Sequence, residues 1–523
     1  MQSEVFKSDY AISKHRLVSM GLSHDDLQKP LVVVLYEDGC QSHLVNIKLG
    51  ASASGGGCIF LCMPSCVDYC AKGQSKRPLM MTRESIADLT ENLLGIYNAD
   101  SVCIVANSEM AAAGMIIGAI RKNVPLVFLP SQDIGFMHAK ATLTQAEVSC
   151  AKKGQTELDF LDRTTAVRSL ELDNFNSLAI FCEAAGISIF GAFACQNASD
   201  KILIARESGK RAVYRAENLS YPRKNFTEKS IKNGIAAHIS CGGTLASLVH
   251  IIAIAKENGV SGIDFDYIAK VGSQAQQLVK IRPQSDLNIY EFANAGGVRG
   301  VLKQLSQIQK LIATDVSYGE ATLGQVFDGL VVDSGIICDA ANGGVESSSV
   351  VVLRGNAFEN SLVKKIGVLK KSDKIKAKAV CFDSEDLCRN AILNDGVKDD
   401  SVVIVKGQAA AINGGPILDI ESAVLAKGLN GILLVSDGRM VELGTVASVC
   451  MCQGEAIFLA AQTGDVVDLD FKKGKFNIDI SAKEANNRLK REAKASGVTG
   501  SLLRYVDGVG TANEGYVLKS KFK

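Results

Sequence analysis

Val435-Ser436-Asp437-Gly438-Arg439-Met440-Val441 ends the apolar run Ile432-Leu433-Leu434-Val435 in a small polar turn built on Gly438. A short branched apolar run closed by such punctuation reads as a buried strand entering a turn. Cys241-Gly242-Gly243-Thr244 lies upstream, before a helical pattern over Leu245 to Glu257, and Thr499-Gly500-Ser501-Leu502-Leu503-Arg504-Tyr505 lies near the far end. In all three, glycines and scaffold residues stand where a backbone must turn.

Around the Asp437 turn, further runs are expected as strands: Val350-Val351-Val352-Leu353, Ala379-Val380-Cys381-Phe382, Val402-Val403-Ile404-Val405, Ala456-Ile457-Phe458-Leu459 and Val466-Val467-Asp468-Leu469. Their turn-punctuated spacing predicts a barrel or sandwich, with helical insertions near 384–395 and 417–428. Ahead of the small polar stretch beginning at Ala341 the texture differs. Leu31-Val32-Val33-Val34-Leu35, Val102-Cys103-Ile104-Val105 and Pro125-Leu126-Val127-Phe128 alternate with helical patterns over Ser85 to Tyr97 and Met110 to Arg121. Continuous apolar strands separated by helices predict a parallel sheet covered on both faces. The expected architecture is an N-terminal parallel-sheet α/β/α domain over 1–340 and a C-terminal β-barrel-like domain of the swivelling type, with a helical tail, over 341–523.

The 523 residues carry 57 Lys+Arg against 56 Asp+Glu, so no net field draws in a polyanion, and nucleic acid is not an expected partner. Apolar residues make up 47% of the chain, but no run approaches the roughly 20 needed to span a bilayer, and the N-terminal segment lacks a signal-like core. A cytoplasmic protein without membrane contact is expected. Fifteen cysteines, an odd number spread through apolar segments, fit reduced thiols. Cys58, Cys62, Cys66 and Cys70 recur every fourth residue, leaving a metal site or spare thiols as readings of an extended segment interrupted by Pro64.

The motifs, taken in order, resemble the dihydroxy-acid dehydratase and phosphogluconate dehydratase family over nearly the whole chain. Thr82-Arg83-Glu84-Ser85 is similar to the family's Ser-Arg-Glu helix start. Ala205-Arg206-Glu207-Ser208-Gly209, Ala295-Gly296-Gly297-Val298, Leu353-Arg354-Gly355-Asn356, Phe382-Asp383-Ser384-Glu385 and Asn413-Gly414-Gly415-Pro416 follow collinearly. The resemblance implies an iron-sulfur cluster and Mg2+ holding a 2,3-dihydroxy carboxylate. It further implies a Ser alkoxide that takes the C2 proton, and a dimer or tetramer.

Position by position, the chemical residues differ. Of the family's cluster thiolates, the first is kept as Cys40 in Cys40-Gln41-Ser42-His43, while the second and third correspond to Ser108 and Ser169. Clusters need soft thiolates, and a serine hydroxyl is a hard, protonated donor. At the implied Mg2+ positions stand Tyr69 beside Asp68, Glu109 for an Asp, Met110 for a carbamylated Lys, and Ile420 flanked by Asp419 and Glu421. The implied alkoxide position is Val441, with Glu442 next to it; an isopropyl group abstracts no proton. Thr244, Asp437, Arg439 and His43 remain as pocket candidates, Cys40 and His43 as the best reactive pair, and His250 reads as a hydrogen-bonded core residue.

The leading expectation is a catalytically degenerate or repurposed family member without cofactor, self-associated or in a mixed oligomer with an active relative, binding a small hydroxy carboxylate. One alternative is an active hydro-lyase with a metal site rebuilt from Cys40, the Cys58–Cys70 series, Asp68, Glu109 and Glu442. Another is a structural or interaction protein in a mixed oligomer.

Overall fold

The computed structural model describes residues 16–65, 78–131, 171–195, 197–282, 284–308, 311–342, 350–364, 373–409, 416–417, 419–440, 446–452, 456–492 and 499–519. The first apolar runs form β1 (Leu31–Glu37), β2 (Gly57–Met63), β3 (Ser101–Ala106) and β4 (Leu126–Pro130), parallel and ordered β2-β1-β3-β4. Val32 stands opposite Cys58 and Ser101, and Val102 opposite Leu126. Alternate side chains enter different cores. Val33, Leu35, Val102 and Ile104 join the main core, whereas Val32, Val34, Cys103 and Val105 pack with Ile47 and Ala51 of α1 (Leu44–Ala53) and with residues of a later helix. Burial on both faces explains why these strands read as unbroken apolar runs.

Among the other described residues of this region the longer helices are α2 (Leu79–Ile96), α3 (Glu109–Lys122), α4 (Asn174–Ala184), α5 (Ala198–Glu217), α6 (Glu228–Ser240), α7 (Leu245–Glu257), α8 (Phe265–Gln274) and α9 (Gly297–Leu305). Beyond Pro130, among the described residues of this region, the alternation of strands and helices gives way to helices, apart from a small hairpin pairing Ser317–Tyr318 with Ala321–Thr322. The central helices are buried all round, α3 from Glu109 to Ile120 and α7 from Leu245 to Ala255. Such helices belong inside a core, and any charge they carry must be paired there. Helix α2 seats closely on α3 because Gly118 has no side chain; a Cβ there would lie 2.4 Å from the Ala87 carbonyl oxygen.

The C-terminal region forms an eight-stranded, nearly closed sheet from β5 (Val350–Leu353), β6 (Ser361–Lys364), β7 (Lys374–Phe382), β8 (Val402–Val405), β9 (Leu433–Ser436), β10 (Ala447–Cys450), β11 (Val466–Asp470) and β12 (Lys475–Ile478). Its order is β12-β11-β7-β8-β9-β10-β6-β5, with β7 to β10 parallel and the flanks antiparallel. Val402, Ile404, Leu433 and Val435 point into the barrel with Phe358 and Phe476, whose rings lie 4.8 Å apart, while Val403, Val405 and Leu434 join the main core.

Arg354-Gly355-Asn356 closes the seam between the two edge strands. The Arg354 amide donates to Gly474 O at 2.9 Å, the Phe476 amide donates to Arg354 O at 2.9 Å, and Asn356 both accepts from the Ile478 amide at 2.9 Å and donates to Ile478 O at 2.8 Å. Closure removes exposed edges from the sheet. The insertions are α10 (Glu385–Leu393) and α11 (Asp419–Lys427), and the tail carries α12 (Ala482–Glu492) and α13 (Gly500–Gly508).

Ala456–Leu459, expected as a strand, is instead a single helical turn, with Phe458 buried against Phe358 at a ring separation of 6.1 Å. Four apolar residues carry no period that separates helix from strand. Strands β6, β10 and β12 escaped sequence reading because Ser-Leu-Val-Lys, Ala-Ser-Val-Cys and Lys-Phe-Asn-Ile lack a long apolar run. Cys58 and Cys62 do lie in an extended segment, on β2, while Cys66 and Cys70 lie outside the described residues. Burial pushes the Cys58 thiol up to about 12. Among the described residues no helix is long and apolar enough to cross a membrane.

Candidate functional site

The strand ends of the parallel sheet and the first turn of α3 meet at a buried carboxylate. Glu37, at the carboxyl end of β1 and 0% exposed, accepts from the Asn107 and Ser108 amides at 2.9 and 3.0 Å through Oε2. Its Oε1 accepts from the hydroxyls of Ser108 at 2.6 Å and Ser65 at 3.1 Å. The amides of a helix N-terminus favour an anion, and here the chain supplies its own. Ser108 is therefore engaged through both its amide and its hydroxyl. Cys40, fully buried, donates its amide to Glu37 O at 2.9 Å, and His43 Nε2 meets Ser131 Oγ at 3.1 Å. Glu37 was missed by sequence reading. Its position, where β1 ends in a parallel sheet, is the signal that could have found it.

One residue further on, Glu109 points into the core from α3. His250 Nε2, from α7, donates to Glu109 Oε1 at 3.0 Å, and Arg439 Nη1 donates to its two oxygens at 3.2 and 3.3 Å. All three side chains are at most 1% exposed. Burial, reinforced by the charges of Arg83 and Arg439, holds the His250 imidazole well below its ordinary pKa, so it is neutral. Its partners fix the tautomer: Nε2 carries the hydrogen toward Glu109, and Nδ1 accepts from Arg83 Nη1 at 3.3 Å. Arg439 Nη1 also donates to Ala246 O at 3.3 Å.

The network continues along α2. Arg83 Nη2 donates to Glu84 Oε1 at 2.7 Å and to Tyr516 O at 2.8 Å, and Arg121 links Glu84 at 2.7 Å with Glu257 at 2.8 Å. Tyr505, on α13, donates to the same Tyr516 carbonyl at 3.3 Å. The Arg83-Glu84 motif thus lies inside α2 rather than at its start, and the Thr499–Tyr505 motif places a phenol beside the network.

The glycine turn before α7 is packed just as tightly. Thr244 Oγ1 donates to Asn174 Oδ1 at 2.7 Å and its amide to Ser177 Oγ at 3.1 Å. Gly243 lies against the His238 ring, which a Cβ would approach to 2.6 Å. Met110 is fully buried in the main core, and its thioether offers no oxygen. Glu421 is held elsewhere, accepting from the Val446 amide at 3.1 Å. The structure therefore brings Glu109 and Arg439 together, and links Ser108 to Cys40 through Glu37. Asp68, Tyr69, Ser169, Val441 and Glu442 lie outside the described residues. Among the described residues no group of three or more His, Cys, Asp or Glu is arranged to hold a metal ion.

Asp437 is 3% exposed and accepts from the Gln408 amide at 2.9 Å. Burial raises its carboxyl to about 6 against the pull of neighbouring amides. An acid with a raised folded pKa binds its proton more tightly folded than unfolded. Its favourable contribution is present at low pH and is lost as pH climbs from about 4 through 6. Asp437→Asn is expected to flatten that slope and to be relatively more stable above pH 6, by about 3 kcal/mol. Urea midpoints of the two proteins from pH 4 to 8 check this; parallel curves would reject it.

The first family model to match, the dihydroxy-acid/6-phosphogluconate dehydratase N-terminal domain, covers residues 39–325, and the C-terminal domain of the same family covers 335–516. A dihydroxy-acid dehydratase from Clostridium botulinum is 26% identical over 560 residues, spanning 99% of this chain and 100% of that protein. One from Thermodesulfovibrio yellowstonii is 26% identical with the same coverage, and one from Acetivibrio thermocellus 27% with 100% of both chains covered. With two matched domains over most of its length, a parallel sheet followed by a barrel, and the collinear motifs seated in both, this chain belongs to the dihydroxy-acid/6-phosphogluconate dehydratase family.

Proposed function

We propose that this family member is catalytically degenerate and repurposed, keeping the dehydratase scaffold without the metal-centred reaction. The observation that carries the reading is the closure of Glu109. Its carboxylate, at the position the resemblance gives to a Mg2+ ligand, is taken up by Arg439 and His250 in a buried interior. A divalent cation there would face the Arg439 guanidinium as a like charge. Met110 offers no oxygen, and the Ser108 hydroxyl is spent on Glu37. Neither Mg2+ nor an iron-sulfur cluster fits these donors, and no dehydration step is derived through them. His250, neutral and bonded at both nitrogens, is a positioning residue for Glu109 rather than a base.

In this reading the protein acts by binding, on its own or in an oligomer with an active relative. Iron and acid-labile sulfide per chain, measured after oxygen-free purification, are expected far below stoichiometric. No 2-keto acid is expected from a 2,3-dihydroxy carboxylate or from 6-phosphogluconate with added Mg2+. A near-stoichiometric cluster with Mg2+-dependent 2-keto acid release would overturn the reading in favour of an active hydro-lyase with a rebuilt site.

A further inference from the structure

Arg215, near the end of α5, carries a charge that no acid answers. Its Nη1 and Nη2 donate to the carbonyl oxygens of Leu126 and Gly186, and among the described residues it forms no ion pair. A guanidinium has more N–H bonds than these two contacts use. Burial, with the Arg211 charge nearby, lowers its pKa to about 10, so it stays protonated at neutral pH. Buried charges are ordinarily paired, and a half-buried guanidinium served only by neutral carbonyls lacks a counter-ion. Arg211 lies close by. A Cβ on Gly319 would overlap its Nη1, and its own acid, Glu207, stands 3.7 Å away.

A cavity of about 110 Å3 opens at this point, with Arg215, Leu126, Ile187, Tyr214, Asn225 and Phe226 in its lining and Gly319 on its wall. Arg215 is its one charged lining group among the described residues. Leu126 opens β4, so the cavity lies at the amino end of the parallel sheet, away from the carboxyl end where Glu37 sits. We propose that this cavity binds a small monocarboxylate, its oxygens on the Arg215 guanidinium and its carbon skeleton against Leu126, Ile187 and Phe226. One cation in the lining matches one negative charge. A phosphate dianion would bring a second charge to be stripped of water beside apolar walls, which is costly. Tyr214 and Asn225 add neutral hydrogen-bonding groups to the lining. The volume accommodates about seven to eleven water-sized groups, the size of hexanoate or benzoate. This site is separate from Glu109 and does not depend on the loss of the metal-centred reaction.

The test uses the full chain with butyrate, hexanoate and benzoate as probes, and hexanamide, benzamide and inorganic phosphate at matched ionic strength as controls. At least one carboxylate is expected to raise the melting temperature by a few degrees with saturation, and the controls to do nothing. Arg215→Met removes the charge and is expected to weaken carboxylate binding at least tenfold. Should that variant fail to fold, Ser220→Phe decides: Ser220 lines the same cavity, is half-buried, and its replacement fills the space while leaving Arg215 in place. It is expected to abolish the response.

No stabilisation by any of the three acids up to about 50 mM, where even a weak Kd registers, would overturn the site. Equal effects with the amides, or a response to phosphate alone, would overturn the monocarboxylate class. A response that survives undiminished in Ser220→Phe or in Arg215→Met would place the bound acid elsewhere in the protein and overturn the assignment. The two readings fail separately: turnover of a dihydroxy acid by iron-loaded protein overturns the degenerate reading, whereas loss of the carboxylate response overturns this site alone.

Discussion

Glu109→Ala is expected to destabilise the protein by about 3–5 kcal/mol, the cost typical of stripping one partner from a buried ion pair. The magnitude follows from what stays behind. Arg439 keeps its charge in a fully buried position, its Nη1 retains one carbonyl acceptor, and His250 loses the acceptor that fixes its tautomer. Glu109→Gln keeps an acceptor and removes the charge, so it should fall between the variant and the parent. The measurement is the shift in denaturant midpoint, with Arg439→Met and the double variant completing a cycle. If the ion pair is the cause, the double variant is more stable than Glu109→Ala alone. A shift below about 1 kcal/mol for Glu109→Ala would mean that the pair is not the anchor of this interior.

The second large effect falls at the barrel seam. Gly355→Ala is expected to cost about 3 kcal/mol or more, at the upper end for overpacking, because the added Cβ has no flexible neighbour to displace. It would stand 1.7 Å from the Phe476 carbonyl oxygen, which belongs to the backbone of β12. The neighbouring hydrogen bonds, from the Arg354 amide to Gly474 and from the Phe476 amide to Arg354, would have to stretch or break, opening the barrel between its edge strands. Hydrogen exchange is the check: amides of β12 should lose protection while those of β1 to β4 keep it. Uniform protection across both sheets would contradict this account.

The layout was legible in the sequence where both faces of an element are buried. Val32 to Leu35, Val102 to Val105 and Val402 to Val405 read as strands because each side chain has a core to enter. Where one strand face is polar the signal fades, and a short apolar run alone does not tell a helical turn from a strand; Lys475–Ile478 went unseen and Ala456–Leu459 was misread for those reasons. The site was half legible. That Ser108, Glu109 and Met110 depart from the family's pattern can be read from residue order alone, yet their new partners cannot. Glu37 comes from a strand more than seventy positions upstream of Ser108's hydroxyl contact, at a separation of 71, and Arg439 lies 330 positions after Glu109. No local pattern encodes pairings at such distances. His250 was read as a hydrogen-bonded core residue, and its place among Leu248, Val249, Ile251 and Ile252 gave no hint of Arg83 or Arg439.

The carbonyl of Tyr516 accepts from Arg83, a residue 433 positions earlier in the chain. During synthesis at about 5–20 residues per second, Arg83 waits about 20–90 s before that acceptor exists. For that interval the first region can collapse around its sheet with Arg83 held by Glu84 and, once α7 is made, by His250, but short of one of its acceptors. The last step of assembly is therefore an electrostatic one, made by the tail, and nascent chains stalled short of it should remain open to proteases around α2.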